Sequence, residues 1–253
     1  MIIRVFWNHF YDDSHHPHDN IEVQGQPHGS FIINVYTMKY FIHNYWYWNK
    51  EIPHEICQQL IELGEGKWMK AQTYASSLEV SLAENESLYT EQLRAMELDR
   101  GERQLKNIRK SDIVWLDEQW VYDLVWSYML TANEEAGWKY NIVALEKCQV
   151  TRYTKDGFYT WHKDGTGSHN EVTNMPENKA LHGNTRKLSM SIILNSDFEG
   201  GDFEIRDAEE GRGKKMQEGS IIVFPSFMVH RVAPVTKGTR YSLVAWFMGP
   251  PFK

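Results

Sequence analysis

Lys187-Leu188-Ser189-Met190-Ser191-Ile192-Ile193-Leu194 alternates in hydropathy with a period of two. On an extended strand Leu188, Met190, Ile192 and Leu194 share one face, and Ser189 and Ser191 point the other way. The same period recurs on both sides of this stretch. It predicts strands over 144–153, 158–164, 187–194, 202–206, 220–224 and 240–247. Glycine-bearing turns separate them at Gly157, Gly200-Gly201, Gly211 to Gly213 and Gly238. Many short strands after a helical lead-in predict a mainly β protein with flanking helices: a double-stranded β-helix, or jelly roll, buttressed by N-terminal α-helices.

The lead-in holds two helical patterns. After Ile52, Pro53 suits a first helical turn, and Ile56, Cys57, Leu60 and Ile61 continue the Ile52 stripe as far as Gly64 and Gly66. A second helix is predicted over 117–136, stopped by Gly137. There Trp120, Val121, Leu124, Val125, Tyr128, Met129 and Ala132 repeat at helical spacing. Both stripes read as packing surfaces against a sheet. Residues 76–110 are charged and less periodic, with Glu79, Glu84, Glu86 and Glu91 on a solvated face. Residues 1–37 form an N-terminal extension: a polar loop containing His15, His16 and His18, then a strand over 31–36. Residues 38–253 form one domain, with helical support over 38–140 and a jelly-roll core over 141–253.

At 253 residues, 42% hydrophobic and 24% charged, the chain has the composition of a globular protein with a sizeable core. Its net charge of -7 disfavours a nucleic-acid partner, which needs clustered Lys and Arg. The 2 cysteines, Cys57 and Cys148, are far apart and in no CxxC, so buried thiols in a reducing cytoplasm are expected. If the gene is carried by a phage, that is the host cytoplasm. No stretch approaches the roughly 20 apolar residues of a membrane span, and no secretion signal opens the chain.

Chemistry concentrates in His162-Lys163-Asp164, His230 and Arg240. Two histidines and one carboxylate can occupy one face of an octahedral Fe(II), leaving the opposite face for a co-substrate and O2. On a strand, residues i and i+2 project together, so His162 and Asp164 reach one ion while Lys163 points away. A His-x-Asp triplet alone arises by chance in on the order of one chain in four of this length. His169-Asn170-Glu171 is a competitor, but it lies in a turn-rich stretch. His230 starts an extended piece just after the turn at Pro225-Ser226. In an antiparallel jelly roll that piece can lie beside the strand carrying His162. Fe(II) brings two positive charges, against one negative from Asp164 and two from 2-oxoglutarate. One further positive charge balances the site, and Arg240, ten residues past His230, offers a planar fork for the far carboxylate. Ser242 faces the same way as Arg240.

At these residues the chain resembles a known family. The string from Gln149 to Asp164, Leu194-Asn195 with Glu199-Gly200-Gly201-Asp202-Phe203, and the closing string from Gly219 to Trp246 are similar to the prolyl 4-hydroxylase-like Fe(II)/2-oxoglutarate dioxygenases, cupin-like in fold. The resemblance covers about 144–246, with a looser match to bacterial and phage-type members over 49–138. It implies that His162, Asp164 and His230 bind iron and act in catalysis. It also implies that Arg240 holds the C5 carboxylate of 2-oxoglutarate, with the Tyr153 hydroxyl beside it and Ser242 as a further co-substrate contact. Fe(II), 2-oxoglutarate and O2 are the implied cofactor and co-substrates, with ascorbate as an accessory reductant. Because Asp164 is a carboxylate, the chain should hydroxylate; halogenating relatives leave that position vacant.

The expected activity is hydroxylation of a peptidyl residue, foremost proline, with a peptide or protein as partner and no nucleic acid or membrane. Two alternatives stand beside it: a hydroxylase of a free amino acid or other small metabolite, and a metal-binding jelly roll without turnover. The second has no need of Arg240. The polar stretch 165–186 is expected to serve as a lid or substrate-binding loop. Trp161, Tyr159 and Trp246 are candidates for a wall of the substrate site.

Overall fold

A computed structural model of the protein describes residues 43–71, 108–165, 172–207 and 210–252, with backbone alone at 207 and 210–214. The expected strand over 31–36, the loop with His15, His16 and His18, the acidic face of Glu79, Glu84, Glu86 and Glu91, and His169-Asn170-Glu171 lie outside the described residues.

Helix α1, His54–Glu62, follows Pro53 and buries Cys57 and Leu60 completely. Helix α2, Gln119–Glu135, buries Val121, Val125, Met129 and Ala132, which recur at the spacing of one helical stripe. Trp120 does not belong to that stripe. It precedes Val121 by one residue, about 100° round the helix, and stands 38% exposed.

The helices cover one face of a large antiparallel sheet. Its order is β1 (Trp46–Trp48), β12 (Ile221–Pro225), β8 (Thr185–Ile193), β15 (Arg240–Gly249), β6 (Cys148–Tyr153), β4 (Asp112–Leu116) and β2 (Met69–Lys70), with β5 (Ala144–Leu145) also on β15. Leu188, Met190 and Ile192 of β8 join Val150, Val223, Leu243, Ala245 and Phe247 against Cys57, Leu60 and the α2 stripe. Full burial of each such side chain stabilises the fold by roughly 1.5–3 kcal/mol.

A smaller sheet covers the opposite face. Its order is β11 (Glu210–Lys214), β10 (Phe203–Asp207), β13 (His230–Val232), β7 (Phe158–His162) and β3 (Arg109–Lys110). β9 (Phe198–Gly200) and β14 (Val235–Gly238) pair with each other alone. A second core between the sheets joins Tyr153, Ile193, Ile222 and Phe224 of the large sheet to Phe203, Ile205 and Val232 of the small one. This is the jelly roll expected from the alternation. Because β8 is covered on both faces, Ser189 and Ser191 are buried as well. Polar atoms sealed between two sheets need partners or a ligand.

Three expected boundaries move. The strand over 144–153 breaks in two, because Leu145 pairs with Phe247 and Gln149 with Val244, four positions against three. The extra residue makes a bulge in which the Glu146 N–H donates to the Trp246 carbonyl. Gly211 and Gly213 lie in β11 and not in a turn: Asp207 faces Glu210 and Arg206 faces Gly211, so the chain reverses before the glycines. The strand over 158–164 ends at His162, and Asp164 sits beyond it. Its N–H donates to the Ser226 carbonyl at 3.0 Å, where a strand residue would bond a ladder neighbour. Among the described residues no helix is long and apolar enough to cross a membrane.

Candidate metal centre and co-substrate pocket

β7 and β13 run antiparallel in the small sheet with His162 directly opposite His230. One step along, Val232 pairs with Tyr159, so three positions on β7 oppose two on β13. The bulge turns Tyr159 and His162 to the same side, and their rings stack with centroids 3.4 Å apart. Each histidine is oriented from behind. His162 Nδ1 lies 2.7 Å from the Thr160 carbonyl, and His230 Nδ1 lies 2.9 Å from the Met228 carbonyl. A carbonyl only accepts, so both Nδ1 atoms carry the proton and both Nε2 atoms present lone pairs.

Those lone pairs converge on Asp164. His162 Nε2 is 3.8 Å from Oδ1 and His230 Nε2 is 3.6 Å from Oδ2. The separations exceed a hydrogen bond, and one ligand atom from each of the three residues falls within 4.8 Å of the others. Burial, reinforced by the neighbouring His230, pushes His162 down to about 3, so its imidazole is neutral at neutral pH. Burial opposes ionisation of Asp164. The imidazoles of His230 and His162, the Arg186 guanidinium and the Ser189 hydroxyl outweigh it and hold the carboxyl below its usual range. Two imidazole nitrogens and one carboxylate are a donor set suited to Fe(II), with positions to spare.

Arg240 faces the same interior from β15. It is 1% exposed, yet only Nη1 has a partner, donating to Ser242 Oγ at 3.0 Å. Nε and Nη2 are buried without a partner. Tyr153 is the register neighbour of Arg240, and its ring centre lies 5.4 Å from the guanidinium carbon. Burial pulls Arg240 down to about 10, which still leaves it charged at neutral pH. A desolvated cation with two idle donor nitrogens fits the far carboxylate of a 2-oxo acid. It also borders a cavity of about 160 Å³ whose walls include Ile193, Phe203 and Gly201.

Gly201 makes room for that guanidinium. A Cβ there would stand 2.9 Å from Arg240 Cδ and 3.0 Å from Val235 Cγ2, on a backbone with φ +65°. Gly201→Ala is therefore expected to shift Arg240 and strain the turn at once. We expect 2-oxoglutarate affinity to fall about tenfold and stability by about 1–2 kcal/mol. Calorimetric titration with 2-oxoglutarate and urea unfolding check the two effects separately.

The structure thus brings His162, Asp164 and His230 together and Arg240, Ser242 and Tyr153 together, with Phe203 beside both His230 and the cavity at Arg240. Of the three aromatic wall candidates, Tyr159 and Trp246 face this side. Tyr159 stacks on His162, and Trp246 is the register neighbour of Ser189. Trp161 does not face it: it alternates with His162 and points outward, where the guanidinium carbons of Arg206 and Arg231 sit 4.5 and 4.7 Å from its ring centre. Sequence reasoning missed the rim. Arg186 binds Glu146 through two 2.6 Å bonds and lies over the Trp246 ring at 4.4 Å, while Arg109 covers the outer face of Tyr159 at 4.7 Å. No spacing rule joins Arg109, Glu146 and Arg186; only the polar alternation of Ser189 and Ser191 hinted at a lined interior.

Comparison with known proteins agrees with this geometry. Residues 148–248 match the model of the 2OG-Fe(II) oxygenase superfamily. A PKHD-type hydroxylase of Idiomarina loihiensis is 32% identical over 104 residues, 40% of this chain and 42% of that protein. One of Gloeothece citriformis is 46% identical over 61 residues, 23% of this chain and 28% of that protein. The chain thus spans less than half the length of these two curated relatives. Among solved structures, a Trichoplax adhaerens prolyl hydroxylase in complex with a hypoxia inducible factor peptide fragment aligns with TM-score 0.55 and 17% identity. That alignment covers 81% of this chain and 83% of the other. A Pseudomonas putida prolyl-4-hydroxylase aligns with TM-score 0.50 and 17% identity, over 81% and 92% of the two chains. At that identity the likeness is one of fold. Residues 148–248 thus resemble a 2OG-Fe(II) oxygenase domain, in a fold like that of the two solved prolyl hydroxylases.

Proposed function

We propose that this protein is an Fe(II)/2-oxoglutarate-dependent dioxygenase that hydroxylates a proline residue within a peptide, consuming 2-oxoglutarate and O2 and releasing succinate and CO2. One observation carries the reading: Arg240 is buried and charged with Nε and Nη2 unpartnered, on the same interior as a two-histidine, one-carboxylate cluster. A bare metal site has no use for a stranded guanidinium, whose burial is unfavourable until an anion meets it.

In this reading His162 and His230 offer Nε2 to the iron and Asp164 offers a carboxylate oxygen. Arg240, with Ser242 and Tyr153 beside it, holds the C5 carboxylate. When bound, the iron supplies the activation of O2 that no side chain can perform. The chain's own share is orientation and exclusion of water. The Thr160 and Met228 carbonyls lock both imidazoles in the tautomer that presents Nε2. Asp164 fills the third protein position, which favours hydroxyl transfer over halide transfer. The apolar packing of Phe203, Phe224, Ile193 and Val232 lines a dry interior behind the site, where charge–charge contacts act at low dielectric.

A peptide substrate is supported by the fold likeness to a prolyl hydroxylase bound to a peptide fragment. The free, buried Cys57 and Cys148 support a reducing compartment, and we place the protein in the cytoplasm. The test is succinate release after anaerobic Fe(II) loading and exposure to O2, screened over proline-containing peptides and free amino acids. We expect release with peptides alone. Release with free amino acids and none with peptides would overturn the peptide assignment.

A further inference from the structure

We infer that Arg109 is a substrate-binding residue that selects a peptide with a carboxylate side chain, Asp or Glu, close to the residue to be hydroxylated. This deepens the peptide reading above and rests on it.

Five arginines among the described residues are partly or fully buried: Arg109, Arg152, Arg186, Arg231 and Arg240. Three of them meet a carboxylate of the chain itself. Arg152 donates to Asp112, Arg186 to Glu146 and Arg231 to Glu204. Arg240 and Arg109 meet none among the described residues; their partners are Ser242 for the first, and Ser111 and Gln149 for the second. A guanidinium removed from water without an anion is unfavourable. At Arg240, in the interior, the co-substrate brings that anion. Arg109 stands on the rim, where the other substrate must pass.

Its setting suits a carboxylate. Arg109 lies on β3, the edge strand of the small sheet, and its register neighbour on β7 is Tyr159. The guanidinium carbon sits 4.7 Å from the centre of the Tyr159 ring, and that ring stacks on His162. One ring therefore separates Arg109 from a metal-site residue. Nε donates to Ser111 Oγ at 2.8 Å, and Nη2 donates to Gln149 Oε1 on β6 of the large sheet at 3.0 Å. Gln149 Oε1 also accepts from Thr151 Oγ1 at 3.1 Å, and both residues are buried. A hydroxyl and an amide fix the guanidinium in place without cancelling its charge. They use two of its five N–H groups, and the rest are free for an acceptor on the substrate. The planar fork matches a carboxylate better than any neutral group. At net charge -7 the chain as a whole repels an acidic peptide. A preference for one therefore traces to a local contact, not to long-range steering.

The experiment uses the full chain and proline-containing peptides, acetylated and amidated so that only side chains carry charge. One set carries glutamate at each flanking position in turn; matched sets carry glutamine or lysine there. Hydroxylation is read by mass spectrometry and succinate release. At one or more positions we expect kcat/KM about tenfold higher for glutamate than for glutamine, mainly through KM. Arg109→Gln should abolish that preference, and Arg109→Lys should keep part of it. Arg109→Glu should favour the lysine peptide instead. A purely structural role would lower kcat for all peptides alike and leave the glutamate-to-glutamine ratio as in wild type. Equal kcat/KM for the two sets in wild type, or a preference that survives Arg109→Gln, overturns the role of Arg109 and keeps the peptide reading. Hydroxylation of none of the peptides, with 2-oxoglutarate still consumed, overturns the peptide reading itself.

Discussion

Replacing Arg240 with methionine is expected to abolish 2-oxoglutarate-dependent turnover and to raise the melting temperature of the metal-free protein. The two effects share one cause. Arg240 is buried, with a single hydrogen bond to Ser242 and two nitrogens left without partners. Burial lowers it to about 10, so holding it charged at neutral pH opposes folding by on the order of 3 kcal/mol. Methionine fills similar volume without that charge, and replacing poorly paired buried ions by apolar side chains is often stabilising. The bound state is the reverse. Truncating one partner of a buried, hydrogen-bonded charge pair costs about 2–5 kcal/mol, or two to three orders of magnitude in 2-oxoglutarate affinity. Co(II) binding should persist, because Arg240 touches none of the three metal-site residues. Succinate release, calorimetric binding of 2-oxoglutarate and thermal melting measure the three consequences. Unchanged turnover would sink the assignment of Arg240.

His162→Ala is expected to remove metal binding and turnover together, while Lys163→Ala next to it changes neither. His162 supplies one of three ligand atoms grouped within 4.8 Å, and its loss leaves two. Even outer-shell losses cost about 10–100-fold in metal affinity, so removal of a ligand should exceed a hundredfold. Asp164→Ala should act at least as strongly, since it also deletes the one negative charge among the three. Lys163 is exposed on the far side of the strand end. Equilibrium dialysis with Co(II) and succinate release check both variants. A His162→Ala protein that binds Co(II) as tightly as wild type would refute the centre.

Much of this was legible in the chain. The alternation of Leu188, Met190 and Ile192 with Ser189 and Ser191 predicted a strand with one apolar face, because a pleated strand has no other way to divide apolar from polar groups. The α2 stripe of Val121, Val125, Met129 and Ala132 was legible for the equivalent reason in a helix, while Trp120 was misassigned because an aromatic beside a stripe looks like part of it. Trp161 was placed at the site as a neighbour of His162, but it alternates with His162 and lies outward, while a bulge on β7 brings Tyr159 to the inner side. A bulge depends on the partner strand, so nothing local announces it.

His162, His230 and Arg240 could be named from residue type, order and spacing, since a metal ligand, a second ligand and an anion clamp on successive strands leave few other chemistries. The sequence by itself determined the layer pattern, the donor set and the sign of the charge at Arg240. Tertiary structure alone decided that Asp164 leaves its strand and is held by the Ser226 carbonyl, just beyond β12 of the other sheet. It alone decided that Gly201 clears a path for Arg240, and that Arg109 and Arg186 cover the rim. Strand periodicity follows from backbone geometry within a few residues, whereas these contacts join positions up to 62 residues apart, as Asp164 and Ser226 are. Only packing of one sheet against the other brings them within reach.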